Sequence, residues 1–411
     1  MGNPSNRFIV VIGCGRQAAA IVYDLARYGR DIADTLVLAD RDPKQIRTLT
    51  GRVRRALVKD HLPLPKITAK RIDAKNAAQL NSLIRGAKAV ISSSHYSLNP
   101  VIARAAVGAG VPFGDLGGYL ESSLAIQKLD AAARKKGIFL APDLGLAPGL
   151  ANVLAGWGLA HMDRDLRLSI YCGGLPEKPV GPLGYKIVFA VEGLWGTHFG
   201  QTVILEGGRP KEVQALGDVE EIDFGVLGRL EAFITGGALA TAPWTLRNRV
   251  HRYVYKTLRY PGYTDKMKFL ADLGLTDDKV ISVGDVRVSP RQLLGRLFYE
   301  RLAFPETRDL VALRVTAEGR LNNSDRYEKT VFEMIEHADD RLGFSAMERT
   351  TGFPAAASML MLLRKKPSGF LLLEEALDAE AFIEELKKRN IAITRRSMPC
   401  PQPQPEKTLS A

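Results

Sequence analysis

The feature that most constrains this chain lies within its first forty residues. Phe8 to Ile12 is an unbroken apolar run, the pattern of a strand buried on both faces of a parallel sheet. A glycine turn follows at once. Gly13-Cys14-Gly15-Arg16-Gln17-Ala18 fits G-x-G-x-x-A, and Ala18, Ile21, Val22 and Leu25 then recur at i, i+3, i+4 and i+7, the stripe of a helix packed on that sheet. Gly29 suits its C-terminal cap.

The spacing has a mechanical reason. Gly13 permits the tight turn, Gly15 lets a pyrophosphate approach the backbone, and Ala18 is small enough for close helix–strand contact. The helix N-terminus, opened by Arg16 and Gln17, receives the phosphates. A second apolar run, Leu36-Val37-Leu38-Ala39, ends in Asp40, 22 positions after Ala18 and near the distance expected of a ribose-binding acid. An acid there favours NAD over NADP, whose extra phosphate would sit beside Asp40, although Arg41 offers partial compensation.

The alternation continues over residues 67–73, 87–92, 111–115 and 138–143 with helical stretches between. It predicts an α/β fold over residues 1–147, a Rossmann doubly wound sheet of six parallel strands. Ligands bind at the carboxyl ends of such strands. Those ends carry Asp73, Ser92-Ser93-Ser94-His95, Asp115-Leu116-Gly117-Gly118 and Asp143. Asp73, Ser93 and Ser94 are therefore cofactor candidates, while capping explains Asp73 or Ser94 equally well.

Beyond Ala147-Pro148-Gly149 the pattern becomes strict alternation. Leu166, Leu168, Ile170 and Cys172 are separated by Arg167, Ser169 and Tyr171, which reads as a half-exposed antiparallel strand. Strand-like segments recur over residues 185–191, 201–205 and 311–316, so an α+β substrate domain is expected over residues 148–345. With 411 residues and ~150 per domain, two or three domains are expected. Several prolines and few apolar residues after Pro399 predict a disordered tail within residues 396–411.

Composition narrows the function classes. Fifty-seven basic against forty-five acidic side chains leave a formal charge of +12, which favours anionic partners. The basic residues are scattered, in clusters no longer than Arg52-Val53-Arg54-Arg55 or Arg364-Lys365-Lys366, and no nucleic-acid module accompanies them. Residues 244–275 interleave Arg, Lys and Tyr. Such a stretch can stack nucleic acid or wall an anion site beside a cofactor, and the anion site is the reading taken, with no nucleic-acid partner expected.

Cys14, Cys172 and Cys400 are odd in number and far apart, which fits a reducing compartment and neither a disulfide framework nor a metal site. No run approaches the ~18 apolar residues of a membrane span, and residues 1–7 lack a signal-peptide core, so a cytoplasmic protein without a membrane partner is expected.

Seven ordered blocks carry a resemblance. They are Gly13-Cys14-Gly15, Gly114-Asp115-Leu116-Gly117-Gly118, Gly145-Leu146-Ala147-Pro148-Gly149, Gly173-Gly174-Leu175-Pro176, Pro182-Leu183-Gly184-Tyr185-Lys186, Lys256-Thr257-Leu258-Arg259-Tyr260-Pro261-Gly262 and Ala346-Met347-Glu348-Arg349-Thr350-Thr351-Gly352. Together they resemble the saccharopine dehydrogenase family, and the nearest branch is similar to L-lysine 6-dehydrogenase. The resemblance implies a Rossmann domain with an inserted catalytic domain, after which residues 346–395 return to cover the first domain. It further implies NAD-dependent oxidative deamination of the lysine side-chain amine, and a homodimer. Tyr263 stands where this branch usually has histidine, and Leu144 where cysteine is common.

Hydride transfer from an amine-bearing carbon requires the amine to be oriented and deprotonated. Arg259, whose motif resembles the family's substrate-binding segment, is the first candidate for a substrate carboxylate; without that resemblance a surface arginine in a basic stretch would be the leading reading. Lys186 is a candidate for the carboxylate or for proton exchange, with an exposed strand lysine as the alternative. Asp115 suits the ammonium group, the nicotinamide ribose or a turn. Asp143 suits the substrate amine or the cap of the helix near Pro148. Histidine is the residue type suited to a general base near neutrality, which makes His198 and His95 candidates for the base, yet a lone histidine is more often structural, and neither is taken as the base. Thr350 and Thr351 suit a helix start aimed at the site. A saccharopine-type substrate would need further cations, for which Arg247, Arg249 and Arg252 are available. A non-catalytic dinucleotide sensor is the competing class.

Overall fold

The computed structural model describes residues 7–402. Its first unit runs β1 (Phe8–Ile12), α1 (Arg16–Tyr28), β2 (Thr35–Asp40), α2 (Pro43–Lys59), β3 (Lys66–Arg71), α3 (Ala77–Ile84), β4 (Ala89–Ser92), α4 (Asn99–Ala109), β5 (Phe113–Asp115), α5 (Leu120–Gln127), α6 (Asp130–Lys136) and β6 (Phe139–Ala141). Alternate residues of the central strands feed two separate cores. Ile9, Val11, Leu36 and Leu38 enter one, and Val10, Ile12, Val37 and Ala39 the other. A strand buried on both faces needs helices on both sides, which is why these runs are uninterrupted rather than alternating.

The second unit runs α7 (Leu150–His161), β7 (Met162–Pro176), α8 (Val191–His198), β8 (Gln201–Glu206), β9 (Arg209–Gln214), β10 (Glu220–Asp223), β11 (Arg229–Ile234), α9 (Ala242–Thr245), β12 (Arg252–Arg259), α10 (Tyr263–Asp272), β13 (Ile281–Val283), β14 (Val286–Val288), α11 (Pro290–Arg301), β15 (Asp309–Leu321) and β16 (Tyr327–His337). The chain then closes with α12 (Ala346–Lys365), β17 (Gly369–Phe370), α13 (Leu373–Ala376), α14 (Ala379–Lys387) and β18 (Thr394–Pro399).

The parallel sheet has the order β17-β6-β5-β4-β1-β2-β3, seven strands where six are expected. The additional strand, β17, pairs with β6 for only two residues and is supplied by the returning segment. That segment is anchored by α12 against α1. A methyl group on Gly352 would stand 2.5 Å from the Ala20 Cβ, so the two helices meet at backbone distance.

The second sheet is nine-stranded and mixed, with β7 between β12 and β15. β7 alternates as expected, with Leu166, Leu168, Ile170 and Cys172 buried. It runs antiparallel to β15 but parallel to β12, because a long excursion separates β7 from β12. Residues 185–190 are irregular and lead into α8, so the strand expected over 185–191 is absent. The residues 396–399 expected in a disordered tail instead form most of β18, which completes the sheet on β16. Residues 1–6 and 403–411 lie outside the described residues. Among the described residues no helix is long and apolar enough to cross a membrane.

Candidate functional site

The β1–α1 loop has the geometry that a diphosphate requires. Gly13 has φ +89°, and a Cβ on it would stand 2.6 Å from the Ser94 amide nitrogen, so only glycine lets β1 pass the β4 loop. A Cβ on Gly15 would meet nothing within 4 Å, which leaves the backbone approachable in front of the α1 N-terminus. Ala18 is fully buried beneath it. The Ser93 hydroxyl donates to the Gly13 carbonyl at 2.6 Å, and the Ser94 and Ser92 hydroxyls lie 2.7 Å apart. These serines brace the loop.

Asp40 ends β2 with Oδ2 accepting from the Cys14 amide at 2.8 Å and Oδ1 from the Asp42 amide at 2.9 Å. Its carboxylate is therefore held at the rim of the loop, with lone pairs left for sugar hydroxyls. Arg16 and Arg41 are exposed beside it. Asp73 does something else. It is exposed on the sheet's edge strand side, and Oδ1 accepts from the Lys75 amide in a local turn.

A cavity of about 270 Å³ lies between the carboxyl ends of the parallel strands and the second sheet. Gln17, Tyr96 and the Leu116–Tyr119 turn form one wall. Tyr255, Thr257 and Arg259 face it from one side of β12, as the two-residue strand period dictates. Gly173 and Gly174 leave the β7 side bare, and Thr351 of α12 closes an edge. A chamber of about 130 Å³ adjoins this cavity and shares Tyr119, Thr235 and Tyr255 with it.

Arg259 is 2% exposed. Its guanidinium lies over the rings of Tyr185 and Tyr263, 4.5 and 5.3 Å from their centroids. Nη1 donates to the Leu258 carbonyl at 2.7 Å, Nε has no partner, and no carboxylate pairs with it among the described residues. Burying a cation without a counter-charge is costly, so this group is poised for an anion that enters the cavity. Cys172 lines the same wall, but burial pushes its thiol up to about 12 and keeps it protonated.

Asp115 and Asp143 form a buried pair immediately behind that wall. Asp115 Oδ1 accepts from the amides of Gly117 and Asp143 at 2.7 and 3.2 Å, and the Ser123 hydroxyl donates to Asp143 Oδ2 at 2.9 Å. The other oxygen of each has no partner. Burial raises both pKa values, and the neighbouring carboxylate raises that of Asp143 further. Asp143 does not cap α7, whose N-cap is Gly149. Neither acid lines the cavity.

Lys186 is also displaced from the cavity. Its ammonium donates to the Thr307 carbonyl, and burial together with nearby Arg16 lowers its pKa against the opposing pull of Asp309. Arg249 pairs with Glu375, Arg252 with Glu206, and Arg247 is exposed, so Arg259 alone of the four arginines reaches the cavity. His95 is exposed and bonded to Ser97. Thr351 faces the cavity from the second turn of α12, whose actual cap is Ser345 paired with Glu348. The β12 period could have added Tyr255 and Thr257 from sequence. No local signal brings in Gln17 together with Gly173.

Comparisons with known proteins agree with this arrangement. Residues 9–140 match the saccharopine dehydrogenase NADP binding domain, and residues 145–391 the saccharopine dehydrogenase C-terminal domain. The mitochondrial alpha-aminoadipic semialdehyde synthases of Mus musculus and Rattus norvegicus are each 25% identical over 364 residues, covering 70% of this chain. The chain spans 38% of the length of those curated relatives. The fold is shared with apo saccharopine dehydrogenase (L-Glu forming) of Saccharomyces cerevisiae, at TM-score 0.74 and 18% identity, covering 95% of this chain and 100% of that one.

Proposed function

The chain belongs to the saccharopine dehydrogenase family, and on that premise we propose that it is an NAD(P)-dependent oxidoreductase acting on the CH–NH2 or CH–NH carbon of lysine or a related amino acid. The observation that carries this reading is Arg259, a buried guanidinium with no ion pair among the described residues, on the cavity wall opposite the Rossmann strand ends.

Gly13, Gly15, Arg16, Gln17 and Ala18 would hold the diphosphate at the α1 N-terminus, with Asp40 on the adenosine ribose, which favours NAD. When bound, the nicotinamide supplies the hydride acceptor. Arg259 takes the substrate carboxylate in its planar fork, and the Tyr185 and Tyr263 rings keep that fork from rotating. Leu116, Phe189 and Met347 keep bulk water from the reacting carbon. Asp115 and Asp143 stiffen the Gly117 turn beneath the reacting groups.

A single cavity cation suits a substrate with one carboxylate at that end, which favours lysine over saccharopine, whose additional carboxylates would require partners. We also propose a homodimer. The test is reduction of NAD and NADP by the purified protein with lysine, saccharopine and diamines. Turnover of lysine supports the reading. No turnover with any of them overturns it in favour of a dinucleotide sensor.

A further inference from the structure

Exposed apolar side chains are concentrated between β12 and β15. Nine of the fourteen exposed large hydrophobic side chains among the described residues fall within residues 269–299. Such a concentration marks a surface that meets another macromolecule.

Two shapes make up this surface. The first is a two-stranded ribbon. β13 and β14 pair only with each other, with Ile281 opposite Val288, Ser282 opposite Arg287 and Val283 opposite Val286. Opposite partners share a side of the ribbon and the side alternates along each strand, so four aliphatic side chains line one side while Ser282 and Arg287 take the other. Val283 and Val286 are 59% and 62% exposed. A ribbon of two strands is marginal in water by itself, and it gains stability when its apolar side is covered.

The second shape is a groove of about 330 Å³ between α10 and α11. Phe269 and Leu270 line it from α10, and Leu294, Leu297 and Phe298 from α11. The charged side chains on its lining are Lys266 and Arg301, both exposed and neither in an ion pair among the described residues. The ribbon turns at Gly284-Asp285, and Asp285 is likewise exposed without an ion pair among the described residues. Lys279, the cation that precedes the ribbon, stands at its base rather than its tip. Ribbon and groove are therefore complementary in both polarity and charge.

We propose that the β13–β14 ribbon of one copy packs its aliphatic side into the α10/α11 groove of a second copy, with Asp285 against Lys266 and Arg301, and that the reciprocal contact closes a two-fold dimer. Both halves of the contact are carried by one chain, so pairing of identical copies satisfies ribbon and groove together and ends at two. The groove is the outer side of the core that holds Tyr185 and Tyr263 against Arg259, so the contact covers the layer supporting the cavity's cation. This inference rests on the homodimer proposed above and is independent of which amine is oxidised.

Sedimentation equilibrium of the full chain tests it. The wild type should be a dimer. Val286→Asp on the ribbon and Leu297→Asp in the groove should each raise the dimer dissociation constant by about 100-fold or more, because each places an unpaired carboxylate in an apolar contact. Far-UV circular dichroism and NAD affinity should stay unchanged in both. Asp285→Lys should weaken the dimer by about tenfold, and the same chain carrying Lys266→Glu and Arg301→Glu as well should recover it. Loss without recovery overturns the pairing of ribbon tip and groove rim. A wild-type dimer that Val286→Asp and Leu297→Asp leave intact overturns the surface and leaves the homodimer standing. A wild-type monomer overturns both.

Discussion

Asp143 Oδ1 lies directly beneath Gly117. A methyl group on that glycine would stand 1.9 Å from the carboxylate oxygen, and Gly117 has φ +66°. The turn that forms one wall of the cavity is thus seated on the buried acid pair, and both its backbone conformation and its clearance require glycine. Gly117→Ala should destabilise the protein by about 3 kcal/mol or more, combining left-handed strain with overpacking. Denaturant unfolding of the variant against Gly118→Ala checks this. A Cβ on Gly118 meets nothing within 4 Å, so that change should cost only the backbone strain.

The acid pair makes a signed prediction about pH. Both carboxyls have raised native pKa values, so the native state holds protons that the unfolded state has released above about pH 4. Stability should therefore fall as pH rises from that point toward the native values and level off above them. Asp143→Asn should flatten the dependence, with Tm raised at about pH 8 relative to the wild type and little changed at about pH 4. Asparagine tolerates the φ of +67° at this position and can still accept from Ser123. An unchanged slope would show that the pair is ionised in the native protein.

Arg259→Ala should reduce kcat/KM for the carboxylate-bearing substrate by roughly 10- to 100-fold, the usual cost of losing a charged hydrogen-bond partner. NAD affinity should barely move, because Arg259 stands on the β12 wall of the cavity and outside the glycine loop. Arg259→Lys should recover only part of the loss, since an ammonium lacks the fork and its stacking on Tyr185 and Tyr263. A large loss of cofactor binding in either variant would contradict the placement.

Asp40→Asn keeps an acceptor for the Cys14 amide and removes the charge at the rim of the loop. The ratio of NAD to NADP affinity should shift toward NADP by about tenfold, equivalent to ~1.4 kcal/mol. Fluorescence titration with both cofactors reads it directly. No shift would place the ribose away from Asp40.

Several expectations failed where distant segments decide the outcome. Residues 185–191 have strand-like composition, but residues 185–190 join no sheet: the Ile187 amide donates to the Leu302 carbonyl, and Tyr185 packs against Tyr263 and Arg259. Arg396–Pro399 look like a polar tail, yet β16 offers an open ladder that a polar strand can complete. Asp73 stands at the end of a strand like Asp40, but β3 is the sheet's edge, so its carboxylate is used by its own turn.

The amino-acid sequence alone determined the nucleotide-binding half. Strand, glycine turn, helix and terminal acid are contiguous, and each is specified by contacts within a few dozen residues. Tertiary structure alone decided which charged groups meet. The cavity joins Gln17 near the start of the chain to Arg259 and Thr351 far along it, and the packing of α12 on α1 brings these walls together. Whether an arginine ends buried without a counter-charge, or whether two aspartates share one site, depends on which surfaces exclude water together. Burial of that kind comes from long-range packing and leaves no periodic signature in the chain.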